Sequence, residues 1–597
     1  MSSKHNSTGR LTIRAGAVDK PQPAPRISLV AIWLAVGATA AFLPGAMDRW
    51  VFPKLALAVI AVVAASLAPA VGRLPRWILI MVVAAVVSIA ASALLGEAPI
   101  AQLWGRWPRY EGAIAIPVYV GVSWLGARLL GARAHGRTIH SFYCAVASAA
   151  ILIGVLAIFE ALGWRLIPSN LARPGSLLGN ASDQGAVGVT MAGILAVPLF
   201  AALGATRDKR LRHPVLLWLG LALCLISIVL SASRTALATA GVMAVTGVIV
   251  LGVRAVKSKR ARTGAALSAL LLIAFIAFAL AVPLTRSRVF GEAPNAQSIE
   301  SGRGVVWNVA IDLVAHNPIA GVGPNGFMDA LQHFQTAAYF NATGVGVTTD
   351  SPHNIELQIL ATGGAMLGLV MLASCVGVAM VTLRGLRAGA LAEHVAIFRI
   401  GGLCALMGYG ATLQTTFTSA ANVILPMMLI GAIVAKPPLV PTRLVSRTIV
   451  WTIVRLVLLC LWASALLLSS LAELPLQTAL TSAARGNLSG TLSSYSVAQN
   501  LRPWDTDITL MQAQTLTAMA SVRVPGASSQ AVRSAARAVQ ELPHSVLGQK
   551  ALAAALEFDG QYSKALVVAM KLNKTAPYDP ETAQRIAEIR KDLSQVG

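Results

Sequence analysis

Residues 214–253 read PVLLWLGLALCLISIVL, then SASR, then TALATAGVMAVTGVIVLGV. An apolar run over 214–230 is followed by the turn Ser231-Ala232-Ser233-Arg234 and by a second apolar run over 235–253. Each run approaches the ~20 residues that an α-helix needs to cross a hydrocarbon layer of ~30 Å. The turn between them is too short to extend far into water, so Arg234 stays close to the apolar layer. An ionised side chain at that depth needs a partner, which makes it a functional candidate. This hairpin of two apolar helices around a short polar turn, repeated along the chain, decides the fold class.

The composition agrees. Of 597 residues, 56% are apolar and only 12% are charged, and the mean hydropathy is +0.68. Soluble domains carry about 25% charged residues, which excludes a cytosolic enzyme, a secreted disulfide scaffold and a disordered chain. The net charge of +24 would suggest nucleic acid in a soluble protein. Here the basic residues lie in short segments between apolar runs, such as Arg207, Lys209, Arg210 and Arg212, or Arg254, Lys257, Lys259, Arg260 and Arg262. That is the pattern of membrane topology, and no nucleic-acid partner is expected. The five cysteines, Cys144, Cys224, Cys375, Cys404 and Cys460, fall within apolar runs without paired spacing. Neither a disulfide framework nor a zinc site is expected.

Thirteen apolar runs are long enough to be read as spans: 27–43, 52–71, 77–95, 112–131, 140–162, 185–205, 214–230, 235–253, 264–284, 354–382, 396–414, 419–435 and 448–471. The basic segment 1–26 has no small-residue cleavage site after the first run, so it is expected to stay as a cytoplasmic N-terminus. Alternation from that start gives inner segments rich in Lys and Arg, with only Asp19, Asp208 and Glu393 as acids. The outer loops are near charge balance, as the positive-inside rule requires. Two segments exceed a connector. Residues 285–353 form an outer loop, and loops of that length usually carry function. Residues 472–597 form a polar tail with helical spacing, nearly balanced at 12 basic and 10 acidic residues. Its turns at Pro543 and Pro577 stand 34 residues apart, the period of a tetratricopeptide helix–turn–helix array. The odd number of spans puts this tail outside, beside the long loop.

The polar residues of the membrane half gather on that outer side. Ser351-Pro352-His353-Asn354 opens the run 354–382; Ser351 fits an N-cap and Pro352 the first helical position. His353 would then stand in the first turn, where the positive helix end disfavours imidazolium and leaves a neutral base. The alternative is a histidine that only helps to cap the helix. Arg303 and Trp307 share one face of a helix expected to run to about His316. Arg173 and Ser176, with Gly179-Asn180, form another outer turn. Arg106 and Arg109 are read as further candidates or as aromatic-belt anchors. Arginines and one histidine on one side of a membrane suit an anionic, pyrophosphate-bearing substrate. Gly321-Val-Gly323-Pro-Asn-Gly326 satisfies a dinucleotide pattern but lacks a preceding strand, so it is read as tight turns. Asp505-Thr-Asp507 follows Pro503-Trp504 and is read as a helix cap rather than a metal motif.

In this order, Arg173…Gly179-Asn180, Ser233-Arg234, Arg303-x-x-x-Trp307, Asn317-Pro…Gly321-x-Gly323…Gly326-Phe327 and His353-Asn354…Leu357…Gly363-Gly364 resemble the O-antigen ligase/polymerase superfamily of bacterial envelope proteins, over roughly residues 100–435. The resemblance implies transfer of a glycan from a polyprenyl (undecaprenyl) diphosphate carrier to an acceptor hydroxyl at the outer face of the bacterial inner membrane. It implies no metal and no cofactor. Arg234 and Arg303, with Arg173, would hold the diphosphate; His353 would activate the acceptor; Asn354, Trp307 and Ser233 would support them. The family's usual Asn-Pro-Asn reads Asn180-Ala181-Ser182 here, so Asn180 receives no role.

The expectation is therefore an all-α membrane bundle of thirteen spans. It has a cytoplasmic segment 1–26, a glycosyltransferase-like domain 27–471 and an extracytoplasmic tetratricopeptide-like domain 472–597. The expected activity is inverting, with a lipid, a glycan or a protein as acceptor; the 285–353 loop serves as a lid, and the tail offers a surface for a protein partner. A polyprenyl-glycan flippase or transporter and an envelope assembly scaffold stand as alternatives from other classes.

Overall fold

A computed structural model describes residues 26–169, 171–203, 212–255, 259–291, 296–344, 349–387, 391–438 and 445–596. The chain is helical throughout these residues. The helices are α1 Arg26–Gly37, α2 Val51–Leu67, α3 Arg76–Leu95, α4 Pro99–Trp104, α5 Ile116–Leu130, α6 Gly136–Ala161, α7 Ala181–Leu203, α8 Pro214–Ser231 and α9 Arg234–Ala255. There follow α10 Lys259–Ala281, α11 Pro283–Val289, α12 Ala296–His316, α13 Phe327–Ala330, α14 Ala337–Thr343, α15 Ile355–Arg387, α16 Glu393–Thr412, α17 Ala420–Val434 and α18 Val445–Leu471. The C-terminal region adds α19 Glu473–Ala484, α20 Leu488–Leu501, α21 Asp507–Ser521, α22 Ala527–Glu541, α23 Val546–Phe558, α24 Tyr562–Thr575 and α25 Pro580–Val596.

This is a multi-pass membrane protein, but the count of thirteen spans is not borne out. Among the described residues seven helices are long and apolar enough to cross a membrane, or eight if the bent pair α10 and α11 is one span. Each expected run does form a helix. The difference lies in their ends. Around α1, α2, α5 and α17 the helix stops short of the apolar run at one end or both, which leaves helices too short to pass as spans. The 15 residues of α17 rise only about 22 Å. It compensates by burial: almost every side chain from Ala420 to Val434 is covered by protein. Gly126 of α5 and Gly431 of α17 let the two backbones touch. A Cβ on Gly126 would lie 2.0 Å from the Met428 carbonyl oxygen, and one on Gly431 1.7 Å from that of Ser123. Such close approach through small residues is how helices associate where lipid offers no hydrophobic drive.

The connecting loops fall into two layers. At one end, Arg73 pairs with Lys436 through backbone hydrogen bonds, Val71 bonds to Arg128, and His394 meets the Ala134 carbonyl. At the other end lie the loops after α1, α3, α6, α8, α11, α14 and α16. There the Met47 N–H donates to the Glu473 carbonyl, Arg49 to that of Pro168 and Trp50 to that of Ser176. The long 285–353 segment is largely helical, and α12, α13 and α14 enclose a small core of Val306, Leu313, Phe327, Leu331 and Tyr339. Gly321, Gly323 and Asn325 take positive φ there, the tight turns that the sequence suggests. Val322 and Gly323 donate to the Ala361 and Thr362 carbonyls, where α15 breaks at Gly364.

The C-terminal helices α19–α25 run as successive antiparallel neighbours, with small alanines (Ala527, Ala531, Ala535, Ala538) at helical spacing along α22. They dock on the same loop layer as the long 285–353 segment. Arg106, 1% exposed, forms ion pairs with Asp507 at 2.8 Å and with Asp329. Arg502, fully buried, pairs with Glu473 at 2.5 Å and Asp505 at 3.0 Å and donates to the Tyr110 hydroxyl. Arg106 is thus a buried clamp between tail and membrane half, not an aromatic-belt anchor.

Candidate active site

The structure places His353 just before α15 rather than within its first turn. Asn354 caps that helix, its Oδ1 accepting the Leu357 N–H at 3.0 Å. Ser351 instead accepts the N–H of His353 at 3.0 Å, and Trp307 Nε1 donates to the Pro352 carbonyl at 2.9 Å. These bonds hold His353 at φ +52, a left-handed conformation that a side-chain-bearing residue adopts only when its surroundings impose it, often at functional positions. The supporting places expected for Asn354 and Trp307 are thereby given a concrete geometry: one starts the helix behind the histidine, the other pins the turn in front of it.

The imidazole packs 5.2 Å from the Phe417 ring. Arg109 lies over the same ring at 5.4 Å. It holds Asp350 through Nε at 3.0 Å and donates to that residue's carbonyl at 2.6 Å. Burial lowers the His353 pKa to about 4; Asp350 opposes this, while Arg303 and Arg109 add to it. Desolvation is the largest cause of this lowering, and it favours the uncharged imidazole.

The arginines picked from the sequence converge on one place. Arg173 donates to the Ser231 carbonyl at 3.1 Å. Ser231 Oγ accepts the Ser233 N–H at 3.3 Å, shaping the turn in which Ala232 has φ +49 and from which Arg234 emerges. Arg234 Nε donates to the Arg288 carbonyl at 2.5 Å. Burial, then the charges of Arg288 and Arg303, lower the pKa of Arg173 to about 10. Burial, then Arg288 and Arg234, lower that of Arg303. Since Arg303 also acts on His353, the cluster and the histidine adjoin. The cluster thus gathers guanidinium groups from four separate segments beside the histidine.

Three residues of this neighbourhood had no clear signal in the sequence. Arg288 comes back over Arg234 only because α10 and α11 meet at 91°, with Thr285 donating to the Val229 carbonyl at 2.7 Å. Glu160 accepts the Gly175 N–H at 2.8 Å and the Ser176 hydroxyl, so it holds the turn that carries Arg173. Asp183, at the start of α7, accepts from Asn422 at 2.7 Å and Ser419 at 2.9 Å and ties α7 to α17. Asn180 accepts the Ser182 N–H at 2.7 Å and opens α7.

Residues 219–373 match the family model described as O-Antigen ligase. The matched stretch runs from within α8 to beyond the break in α15, and so contains Arg234, Arg288, Arg303, Trp307 and His353. Arg173 and the C-terminal helices lie outside it, and the tetratricopeptide reading of the tail has no family match behind it. No curated protein matches the chain.

Proposed function

We propose that the protein is a glycosyltransferase of the bacterial inner membrane that moves a glycan from a polyprenyl diphosphate to an acceptor hydroxyl at the outer face. The observation that carries this reading is the juxtaposition of a histidine in a strained turn with four arginines from separate segments. The family match over 219–373 supports the same chemistry.

In the reaction proposed, Arg234, Arg288 and Arg303, with Arg173, receive the diphosphate. The acceptor oxygen attacks the anomeric carbon, and a new C–O bond forms as the bond to the diphosphate oxygen breaks. The leaving diphosphate takes the bonding electrons, and its charge is neutralised by guanidinium donors fixed before it forms. The hydroxyl proton passes to the free ring nitrogen of His353. A single displacement of this kind inverts the anomeric centre. The arginines perform the neutralisation that a divalent cation performs elsewhere, so the activity is metal-independent in this reading.

The transporter alternative asks for charges midway along spans. Lys54 stands in the first turn of α2, Glu160 in the last of α6 and Asp183 in the first of α7. Arg399 and Arg455 stand further along α16 and α18, and both donate to backbone carbonyls at the opposite loop layer, those of Ala435 and Ser66, so the charges gather toward the two ends of the bundle rather than along a path between them. The test is reconstitution of purified protein with a polyprenyl-diphosphate-linked glycan and an envelope acceptor fraction, with products read by mass spectrometry. Transfer by the wild type and none by His353→Ala is expected; equal transfer by both would refute the assignment.

A further inference from the structure

Between the C-terminal helices and the membrane half lies a cavity of about 510 Å³. Trp50, Trp107, Phe417, Asp350 and Arg109 line it on the membrane side, and Met511, Gln514 and Leu547 on the other. A second cavity of about 470 Å³ continues along α21 and α23, with Gln332 and Gln335 opposite Thr517 and Lys550. The two share Gln514 and Leu547, so they form one groove with a waist at those residues. Each chamber is the size of an ordinary ligand site.

Its inner end is lined by two neighbours of the candidate base. Phe417 and Asp350 line the first chamber, and both act on His353, the ring of one at 5.2 Å and the charge of the other through its effect on the imidazole. The arginine cluster approaches His353 through Arg303, which does not line the groove. A donor on the arginines and a second molecule in the groove would therefore meet at the histidine from different directions. The outer end holds an unsatisfied group: Gln335 is 5% exposed, and its Oε1 has no hydrogen-bond partner.

We propose that this groove is the acceptor subsite, and that it takes an extended, uncharged glycan. The inference rests on the transferase reading above. Aromatic faces beside carboxylates and amides suit a chain whose apolar C–H faces alternate with hydroxyls. The wall helices have satisfied their own backbone groups, so they offer an extended polypeptide no sheet edge to pair with. A lipid chain is disfavoured by the polar second chamber, where Lys550, Asp579, Glu581 and Arg585 stand beside the glutamines. The ion pairs of Arg106 with Asp507 and of Arg502 with Glu473 hold in place the helix that supplies Met511 and Gln514. The acceptor site is incomplete without the C-terminal region.

The test uses full-length protein in lipid nanodiscs. The probes are oligosaccharides released from the source envelope by mild acid and fractionated by length, with vesicles carrying glycan-free polyprenyl diphosphate as the donor-side probe. Longer fragments are expected to bind the wild type at least tenfold more tightly than single units. Gln514→Trp and Leu547→Trp, which plug the waist, should abolish that dependence and leave diphosphate-lipid binding unchanged. In a Gln514→Cys protein, maleimide labelling of residue 514, read by peptide mass spectrometry, should slow at least threefold when long fragments are present. Unaltered length dependence in the plugged variants, or labelling that fragments do not slow, overturns the subsite. So does tight binding of envelope peptides in place of glycans. If diphosphate lipids fail to bind the wild type, the donor reading falls instead, and the two failures are distinguishable.

Discussion

Removing the charge of Asp507 should loosen the C-terminal helices from the membrane half. Asp507 accepts from Arg106 Nη2 at 2.8 Å, from its Nε at 3.3 Å and from the Trp107 N–H at 2.9 Å. Arg106 is 1% exposed and Asp507 3%, so water cannot replace the lost partner. Breaking one partner of a buried pair typically costs about 3–5 kcal/mol, because a desolvated charge is left behind. In Asp507→Asn the amide oxygen can keep the Trp107 bond, and Asp329 still faces Arg106, so the lower end, about 3 kcal/mol, applies. At 1.4 kcal/mol per tenfold, that is roughly a hundredfold shift in the docking equilibrium. Hydrogen–deuterium exchange in nanodiscs should show faster exchange in α21 and α22, with α6 and α7 unchanged. Transfer to long acceptors should fall in parallel, and binding of diphosphate lipid should persist. Exchange in α21 within twofold of wild type, in correctly inserted protein, would refute the claim that this ion pair holds the interface.

His353→Ala should lower transfer by about 10²–10⁴-fold with normal expression and donor binding, read as initial rates. Since burial lowers the His353 pKa to about 4, below the 6.5 of free imidazole, the folded protein binds fewer protons than the unfolded chain between those values. The base form is then complete above about pH 5, and kcat/KM should lose this limb only as the pH falls through about 4, whereas a limb near 6.5 would contradict the burial argument. Arg234→Ala, Arg288→Ala and Arg303→Ala should each weaken diphosphate-lipid binding, and Lys should restore it only in part because it lacks the planar fork; full rescue by Lys would show that point charge alone suffices. Transfer should survive EDTA, and a loss reversed by Mg²⁺ would remove the arginine-for-metal argument. Alkaline phosphatase fused after Gly597 should be active and a GFP fusion there dark; the reverse result would put the C-terminal helices, and with them the candidate site, in the cytoplasm.

The sequence made the helices legible and the membrane crossings less so, for a physical reason. Hydropathy reports that a residue avoids water, and a helix buried in protein avoids it as well as one bathed in lipid. The α17 segment is as apolar as α8, yet its 15 residues are enclosed by neighbours, whereas Leu369, Leu372 and Val376 of α15 remain exposed. The site divides along a similar line. Arg234 and His353 stand out because each sits at a polar break in an apolar pattern, where a charge has to be explained, and Arg303 because it shares a helix face with Trp307. Arg288 was not, because nothing local marks it; its place depends on the bend that brings α11 back over the α8–α9 turn. Spacing sets His353 beside a helix start, and the structure adds a loop packed against Phe417 and flanked by Arg109 and Arg303. Those residues lie 64 positions after His353 and 244 and 50 before it. Long-range packing of this kind leaves no periodic trace in a sequence, and it alone brings Phe417, Arg109 and Arg303 to the candidate base.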